Sequence, residues 1–274
     1  RFIYNDGAAE ILMRQGRVAG VRLNSGAELP AADVIANSDI SAIADGRFGQ
    51  GVAHAVKGVA PKDRSLSALV TMMTAEAEGF ALDRHNVFFS DDYAAEFRQI
   101  FAEKRLPLAP SVYICAQDRG IGPPPTGAER FQLIVNAPAT GDGRAPTDEE
   151  MDRCQTATLA ALARCGLILK PKVAVPVGPA MFEALFPSSG GALYGRASHG
   201  WQASFRRPGS STRVKGLWCA GGSGHPGAGV PMAALSGRLA SAAILQARAS
   251  TRTFHPVATA GGMSTPNQTT AASG

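Results

Sequence analysis

The chain has 274 residues, 45% of them hydrophobic, and a formal net charge of +5 at pH 7. That length holds one large domain or two small ones, and that apolar content supplies a sizeable core and excludes a globally disordered chain. The cations are scattered, with no Lys/Arg run interleaved with aromatics, which argues against a nucleic-acid-binding protein.

Arg1-Phe2-Ile3-Tyr4 reads as a strand that starts in mid-pattern. Residues 10–29 predict a β-hairpin and a third strand: Ile11 and Met13 alternate with polar neighbours, Gln15-Gly16 turns, and Ala19, Val21 and Leu23 share a face. Asn24-Ser25-Gly26 makes the second turn. Val34-Ile35-Ala36 is a strand leading into Asn37-Ser38-Asp39. Asp39 there either touches a ligand or caps a helix. Residues 40–59 are rich in Ala and Gly and predict one short helix.

Strands are expected at 65–74, 86–90, 112–116 and 131–137. Between them, 91–104 predicts a helix with Phe97, Ile100 and Phe101 inward. Residues 120–127 hold three consecutive prolines and read as a loop. Thr147-Asp148-Glu149-Glu150 signals a helix start, and that helix, lined by Met151, Leu159 and Leu162, stops before Gly166. These elements predict an antiparallel sheet with helices on one side. Over 167–186, Pro171, Pro176 and Pro179 disfavour helix, so the apolar residues there form either an extended edge lining an apolar tunnel or plain core. Residues 249–274, rich in Ala, Thr, Ser and Gly, read as a disordered tail.

The most informative stretch is 216–248. Leu217-Trp218-Cys219-Ala220 suits a buried strand, a loop follows with Gly221, Gly222, Gly224, Gly227 and Gly229, and Pro231 suits a first helical turn. Met232, Leu235, Leu239 and Ala242 are spaced as the buried face of the helix, with small residues on its other faces. A strand, glycine loop and helix aim free backbone N–H groups and the helix dipole at one point, which suits a flat, electron-rich or anionic guest. A tight packing turn without a ligand is the alternative. The cysteines Cys115, Cys154, Cys165 and Cys219 form no C-x-x-C pair or zinc spacing, so no metal is expected, and free thiols in a reducing setting are. No G-x-S-x-G elbow supports a serine nucleophile. The longest uncharged stretch, within 216–237, is broken by Gly and Pro and does not read as a membrane span.

His225-Pro226-Gly227-Ala228-Gly229-Val230-Pro231, preceded by Gly221-Gly222, resembles the C-terminal flavin motif of the phytoene desaturase family. These are FAD-dependent carotenoid desaturases within the amine-oxidase-like flavoprotein superfamily. Met232-Ala233-Ala234-Leu235-Ser236-Gly237-Arg238 and the run from Phe186 to Gly195 resemble its hydroxyneurosporene (methoxyneurosporene) desaturase branch. The resemblance implies an α/β (α+β) fold. Residues 1–64 and 195–248 would form part of a Rossmann-like FAD-binding lobe, 65–194 an antiparallel-sheet substrate lobe, and 249–274 the tail. It implies FAD held near Gly221, Gly222, His225, Gly229, Val230, Pro231 and Met232, with the N–H groups of Val230 and Met232 facing the negative edge of the reduced flavin.

The implied reaction is desaturation of an acyclic hydroxylated carotenoid, of the 1-hydroxycarotenoid 3,4-desaturase type, serving photosynthetic carotenoid synthesis. The alternatives are another flavin-dependent isoprenoid desaturase, isomerase or oxidase, or an inactive fragment. His225 is then either a scaffold residue or an acid/base; His199 is a weaker candidate, and Tyr194 and Trp201 border the flavin or pack the core. The family's G-x-G-x-x-G is not found near residue 1, so the implied partners are a missing N-terminal part of the same polypeptide, a carotenoid and, peripherally, the cytoplasmic face of the inner photosynthetic membrane.

Overall fold

Three short strands open the computed structural model, which describes residues 1–120, 122–123, 125–198 and 207–252. Strands β1 (Ala8–Arg14), β2 (Arg17–Leu23) and β3 (Glu28–Pro30) form an antiparallel sheet in chain order. Gln15 and Gly16 both take positive φ, 50° and 74°, as the tight two-residue turn between twisted strands demands. Strand β4 (Val34–Ala36) then pairs in parallel with β10 (Leu217–Cys219), Val34 opposite Leu217 and Ala36 opposite Cys219. Residues some 180 positions apart in the chain are thereby brought side by side. Ile11, Val18, Ile43, Val52, Val214 and Leu217 pack as the core here. Residues 40–59 form two short helices rather than one, α1 (Ile40–Ala44) and α2 (Gln50–Ala53). Asp39 caps the first, its Oδ1 accepting from Ser41 N at 2.8 Å.

The second sheet is antiparallel, with β5 (Ser67–Gly79), β6 (His85–Phe88), β7 (Val112–Ala116), β8 (Glu129–Ala137) and β9 (Leu167–Val177) in the order β6-β7-β8-β5-β9. One face carries Leu69, Ile114, Phe131, Leu133 and Val135, buried under Cys154 and Leu162 of α4 (Asp148–Arg164). The helix start read at Thr147-Asp148-Glu149-Glu150 is formed, as a capping box: Thr147 Oγ1 accepts from Glu150 N at 3.2 Å, and Glu150 Oε2 accepts from Thr147 N at 2.9 Å. Burial pushes the Cys154 thiol up to about 12 and that of Cys219 up to about 11, so neither is poised as a nucleophile. All four cysteines are free thiols. Among the described residues no helix is long and apolar enough to cross a membrane, and no group of His, Cys, Asp and Glu is placed to hold a metal.

The other face of this sheet carries rows of directly opposed side chains. One row runs Val87, Tyr113, Ile134, Val70, Val177; the next runs His85, Cys115, Gln132, Met72, Val175. Val87, Met72 and Val175 are 52%, 44% and 53% exposed. Core holds only for the start of β9, where Leu167 is buried and Leu169 packs against the core; from 170 onward β9 is a largely exposed edge strand, and its prolines are tolerated because an edge strand leaves one side of the backbone unpaired. Helix, disfavoured over this region, nonetheless forms as α5 (Pro179–Leu185), because Pro179 occupies the first turn, where its missing N–H costs nothing.

The inward face of α3 (Tyr93–Phe101) also departs from expectation. Glu96, Gln99 and Ile100 are buried, while Tyr93, Phe97 and Phe101 form a row of ring contacts along a more exposed side. Glu96 turns inward because its carboxylate is fully used: it accepts from Ser111 N at 2.9 Å and from Asn136 Nδ2 at 3.0 Å.

The largest correction concerns α6 (Val230–Arg252). Met232, Leu235 and Leu239 are 39%, 38% and 39% exposed and Ala242 is exposed, whereas Ser236 and Ala240 are buried with Ala233, Gly237 and Ala243 beside them. The thin face is the packed one, because it lies against β10 and the loop that follows it. The helix runs past 248 to Arg252, and Arg248 forks onto Asp33 Oδ2 at 3.0 and 2.7 Å. The remainder of the expected tail, 253–274, lies outside the described residues.

Candidate functional site

The carboxyl ends of β4 and β10 open side by side, the place where parallel strands leave a crevice for a ligand. Asn37 Nδ2 donates to Ala220 O at 2.9 Å and ties the two exits together. Gly221 N donates to Ser236 Oγ at 2.7 Å, and Ser236 Oγ donates to Ala233 O at 2.6 Å, so a buried serine on α6 holds the loop down. Gly221 has φ +132°, and a Cβ there would meet Asn37 Nδ2 at 3.0 Å. The residues from Gly222 to Gly227 spell G-x-G-x-x-G between a strand and a helix. The helix starts only at Val230, and among the described residues no strand follows it, so this is not the βαβ fingerprint.

Gly229 O accepts the first helical bond, from Ala233 N at 2.9 Å, which makes Gly229 the N-cap of α6. Val230, Pro231 and Met232 form the first turn. The N–H groups of Val230 and Met232 have no acceptor within the helix, and Pro231 has none to offer. Gly229 has φ +103°, yet a Cβ there would meet no atom of the described residues within 4 Å. Backbone conformation, not crowding by protein, is what demands glycine at this position. A Cβ on Gly222 would meet its nearest atom, Ala228 Cα, at 3.8 Å, so its flank is equally open.

Two clefts flank this loop. The larger, about 430 Å³, lies between Ser65, Leu66 and Tyr194 on one side and Pro226, Gly227, Ala228 and Met232 on the other. The smaller, about 270 Å³, lies between Asn37, Ser38 and Asp39, the Gly221-Gly222-Ser223 backbone, Phe186, Leu193 and Ala233. The structure thus brings Gly221, Gly222 and Met232 to the walls of neighbouring clefts, with Gly229, Val230 and Pro231 exposed between them. His225 is placed differently. Its N–H donates to Pro208 O at 2.8 Å, while its exposed imidazole has no hydrogen-bond partner among the described residues. The backbone, not the ring, ties that segment down. His199 and Trp201 lie outside the described residues.

Arg207 is the residue that pattern reading missed. It is 7% exposed, and its Nη1 donates to Tyr194 O at 2.8 Å and Gly222 O at 3.2 Å, while Nη2 donates to Arg196 O at 2.8 Å. Among the described residues no carboxylate pairs with it, and burial lowers its pKa from the ordinary arginine value. A guanidinium holding backbone carbonyls has no sequence signature, because its partners contribute mostly main chain, with Ser198 Oγ at 3.3 Å the exception among the described residues.

The run from Phe186 to Gly195 forms the other wall. Glu183 Oε1 accepts from Ser188 N and Oε2 from Gly190 N, both at 2.7 Å. Buried Arg64 forks onto Asp142, at 2.8 and 2.6 Å, and holds the Asp142 carboxyl below its usual range. Gly190 is required beside this pair: a Cβ there would lie 2.2 Å from Arg64 Nη1. A carboxyl whose folded pKa is depressed stabilises the fold fully above its unfolded pKa, and that contribution is lost as pH falls through the folded value. Thermal stability is therefore expected to fall on acidification below about pH 5. Asp142→Asn should lower the melting temperature near neutral pH and flatten that acid slope; an unchanged slope, read by circular dichroism, would remove the pair from the account.

The residues present fit a flavin. Ser38 Oγ, in the wall of the smaller cleft, is buried and has no protein partner, an arrangement that a polar ligand atom would satisfy. Two free helix N–H groups and an open N-cap lie one turn away, suited to an electron-rich edge. By fold and site this is a mixed α/β protein with a ligand crevice at the carboxyl ends of a parallel strand pair, joined to an antiparallel sheet with an open apolar face.

No protein-family model matches the chain. It is 48% identical, over 97% of its length and 51% of the relative's, to a hydroxyneurosporene desaturase of Rubrivivax gelatinosus. It is 44% identical to that of Cereibacter sphaeroides, over 89% of this chain and 49% of the relative. A 1-hydroxycarotenoid 3,4-desaturase of a Flavobacterium strain is 33% identical over 65% of this chain and 37% of its own length. The chain belongs to the carotenoid desaturase family, and it spans about half the length of the curated relatives it matches.

Proposed function

We propose that this chain supplies the loop facing the flavin and the substrate sheet of an FAD-dependent desaturase acting on acyclic hydroxylated carotenoids, of the 1-hydroxycarotenoid 3,4-desaturase type. The observation that carries the reading is 48% identity across 97% of the chain to a hydroxyneurosporene desaturase. Bound FAD supplies hydride acceptance from one carbon, while its neighbour loses a proton. The N–H groups of Val230 and Met232 orient toward the charge that develops on reduction, and Ser38 Oγ and the Gly221-Gly222 backbone hold the polar part of the cofactor. Leu66, Tyr194 and the apolar rows of the sheet exclude water from the polyene. No side chain is assigned to take the proton; the exposed imidazole of His225 has no hydrogen-bond partner among the described residues to orient it as a base.

The rest of the same polypeptide is the partner in this reading, and the 274 residues alone are expected to hold FAD weakly. A carotenoid partitions into lipid, so the enzyme is placed peripherally on the cytoplasmic face of the inner membrane, within carotenoid biosynthesis. The test is to mix the purified intact polypeptide anaerobically with vesicle-borne 1-hydroxyneurosporene. Bleaching of oxidised-flavin absorbance and a product two hydrogens lighter are expected. A colourless protein, or one that isomerises or oxygenates the polyene instead, overturns the reading.

A further inference from the structure

We propose that a polar patch on the open face of the five-stranded sheet, formed by His85, Tyr113, Cys115 and Gln132, binds a hydroxyl group on the substrate at the end remote from the bond being desaturated. The inference rests on the carotenoid reading above and names what selects among such substrates.

The four side chains are neighbours by register. His85 opposes Cys115, Cys115 opposes Gln132, and Tyr113 lies two residues along β7 on the same face. The rows around them are mixed: Gln132 stands directly opposite Met72, and the next row sets Arg130 opposite Thr74. His85 Nδ1 and the Tyr113 hydroxyl are 2.7 Å apart, with the rings stacked. Either tautomer leaves the pair with one donor and one acceptor to spare. If Tyr113 donates to Nδ1, the Nε2–H is free to donate and the phenol oxygen to accept. If Nδ1–H donates, the phenol O–H is free to donate and Nε2 to accept. A hydroxyl group both donates and accepts and so matches the pair; an ether only accepts, and a hydrocarbon end does neither. Burial and the neighbouring Cys115 raise the Tyr113 pKa, which keeps its proton available for donation.

Position decides which end of the substrate is read. Leu66, in the wall of the larger cleft beside the glycine loop, has the parity of Val70 and Met72 on β5, so the face that starts at the loop is the one that carries the patch. Tyr113 shares a row with Val70, two strands away, which puts it about 17 Å from the Leu66 position at ordinary strand rise and spacing. His85 shares a row with Met72, three strands away, at about 24 Å. Only a long extended chain bridges that span, and the group it delivers there belongs to its far half. A polyene hydroxylated at both ends is thereby favoured, so the reaction that hydroxylates the second end precedes desaturation of the first.

The test uses the intact flavin-loaded polypeptide and three polyenes of equal length. All share the hydroxylated reacting end; the other end carries a hydroxyl, a methoxy group or no oxygen. For the wild type, kcat/KM on the dihydroxylated chain should exceed that on the chain without oxygen by about three- to tenfold, with the methoxy chain below the dihydroxylated one. His85→Phe combined with Tyr113→Phe should bring the ratio to about one. Gln132→Leu, a milder change, should lower the ratio part of the way and guards against misfolding of the double variant. Turnover of all three chains at equal kcat/KM, or a ratio that survives both substitutions, overturns the patch alone. Flavin that stays oxidised with every polyene overturns the carotenoid reading and the patch with it.

Discussion

Gly229→Val in the intact polypeptide is expected to slow substrate-driven flavin reduction by at least about a hundredfold while the protein still folds. The reason lies in the backbone. Gly229 holds φ at +103°, a region that a β-branched residue enters only with strain of about 1–3 kcal/mol. No atom of the described residues lies within 4 Å of a Cβ built there, so the core is not disturbed and the strain is relieved by the loop itself. Such relief turns the first turn of α6 and re-aims the N–H groups of Val230 and Met232, and a misplacement of about 1 Å is enough for the stated loss. The paired control is His225→Gln. The imidazole has no hydrogen-bond partner among the described residues, and the backbone bond to Pro208 O survives the change, so a rate within about tenfold of wild type is expected. Anaerobic stopped-flow bleaching reads both variants. Wild-type bleaching by Gly229→Val would show that the loop is not at the flavin; a silent His225→Gln would make the histidine the catalyst.

Arg207→Met should cost about 3 kcal/mol and lower the melting temperature of the intact polypeptide. Methionine fills much of the same volume but donates nothing, so the carbonyls of Tyr194, Gly222 and Arg196 lose their shared donor. Relief of the buried cation offsets part of that cost, which is why the expected loss is smaller than the number of bonds suggests. Arg207→Lys should recover little, because a single ammonium cannot reach both sides of a planar fork. Flavin should also leave the Arg207→Met protein more readily, since Gly222 forms one wall of the smaller cleft and Tyr194 one wall of the larger. An unchanged melting temperature with unchanged flavin retention would mean that the guanidinium is incidental.

The local signals of this chain speak about local geometry. Period-two alternation located β1 and β2, and the run Thr147-Asp148-Glu149-Glu150 located the start of α4, because each depends on residues within one turn or one strand. The glycine run and Pro231 likewise announced a strand–loop–helix unit, since positive φ and a missing N–H are demands made by the backbone itself. Tertiary structure decided what lay between distant segments. For α6 the periodicity offered two faces, a large apolar one and a thin one, and hydrophobicity selected the first. The requirement that Ser236 reach Gly221 N brought the thin face onto β10 and left Met232, Leu235 and Leu239 at the surface of the described chain. For α3 the two hydrogen bonds of Glu96 outweighed the pull of Phe97 and Phe101. Arg207, the Arg64–Asp142 pair and the row register that sets His85 beside Tyr113 join residues far apart in the chain or on different strands. Only a folded backbone brings such groups to hydrogen-bond distance, and sequence spacing carries no record of it.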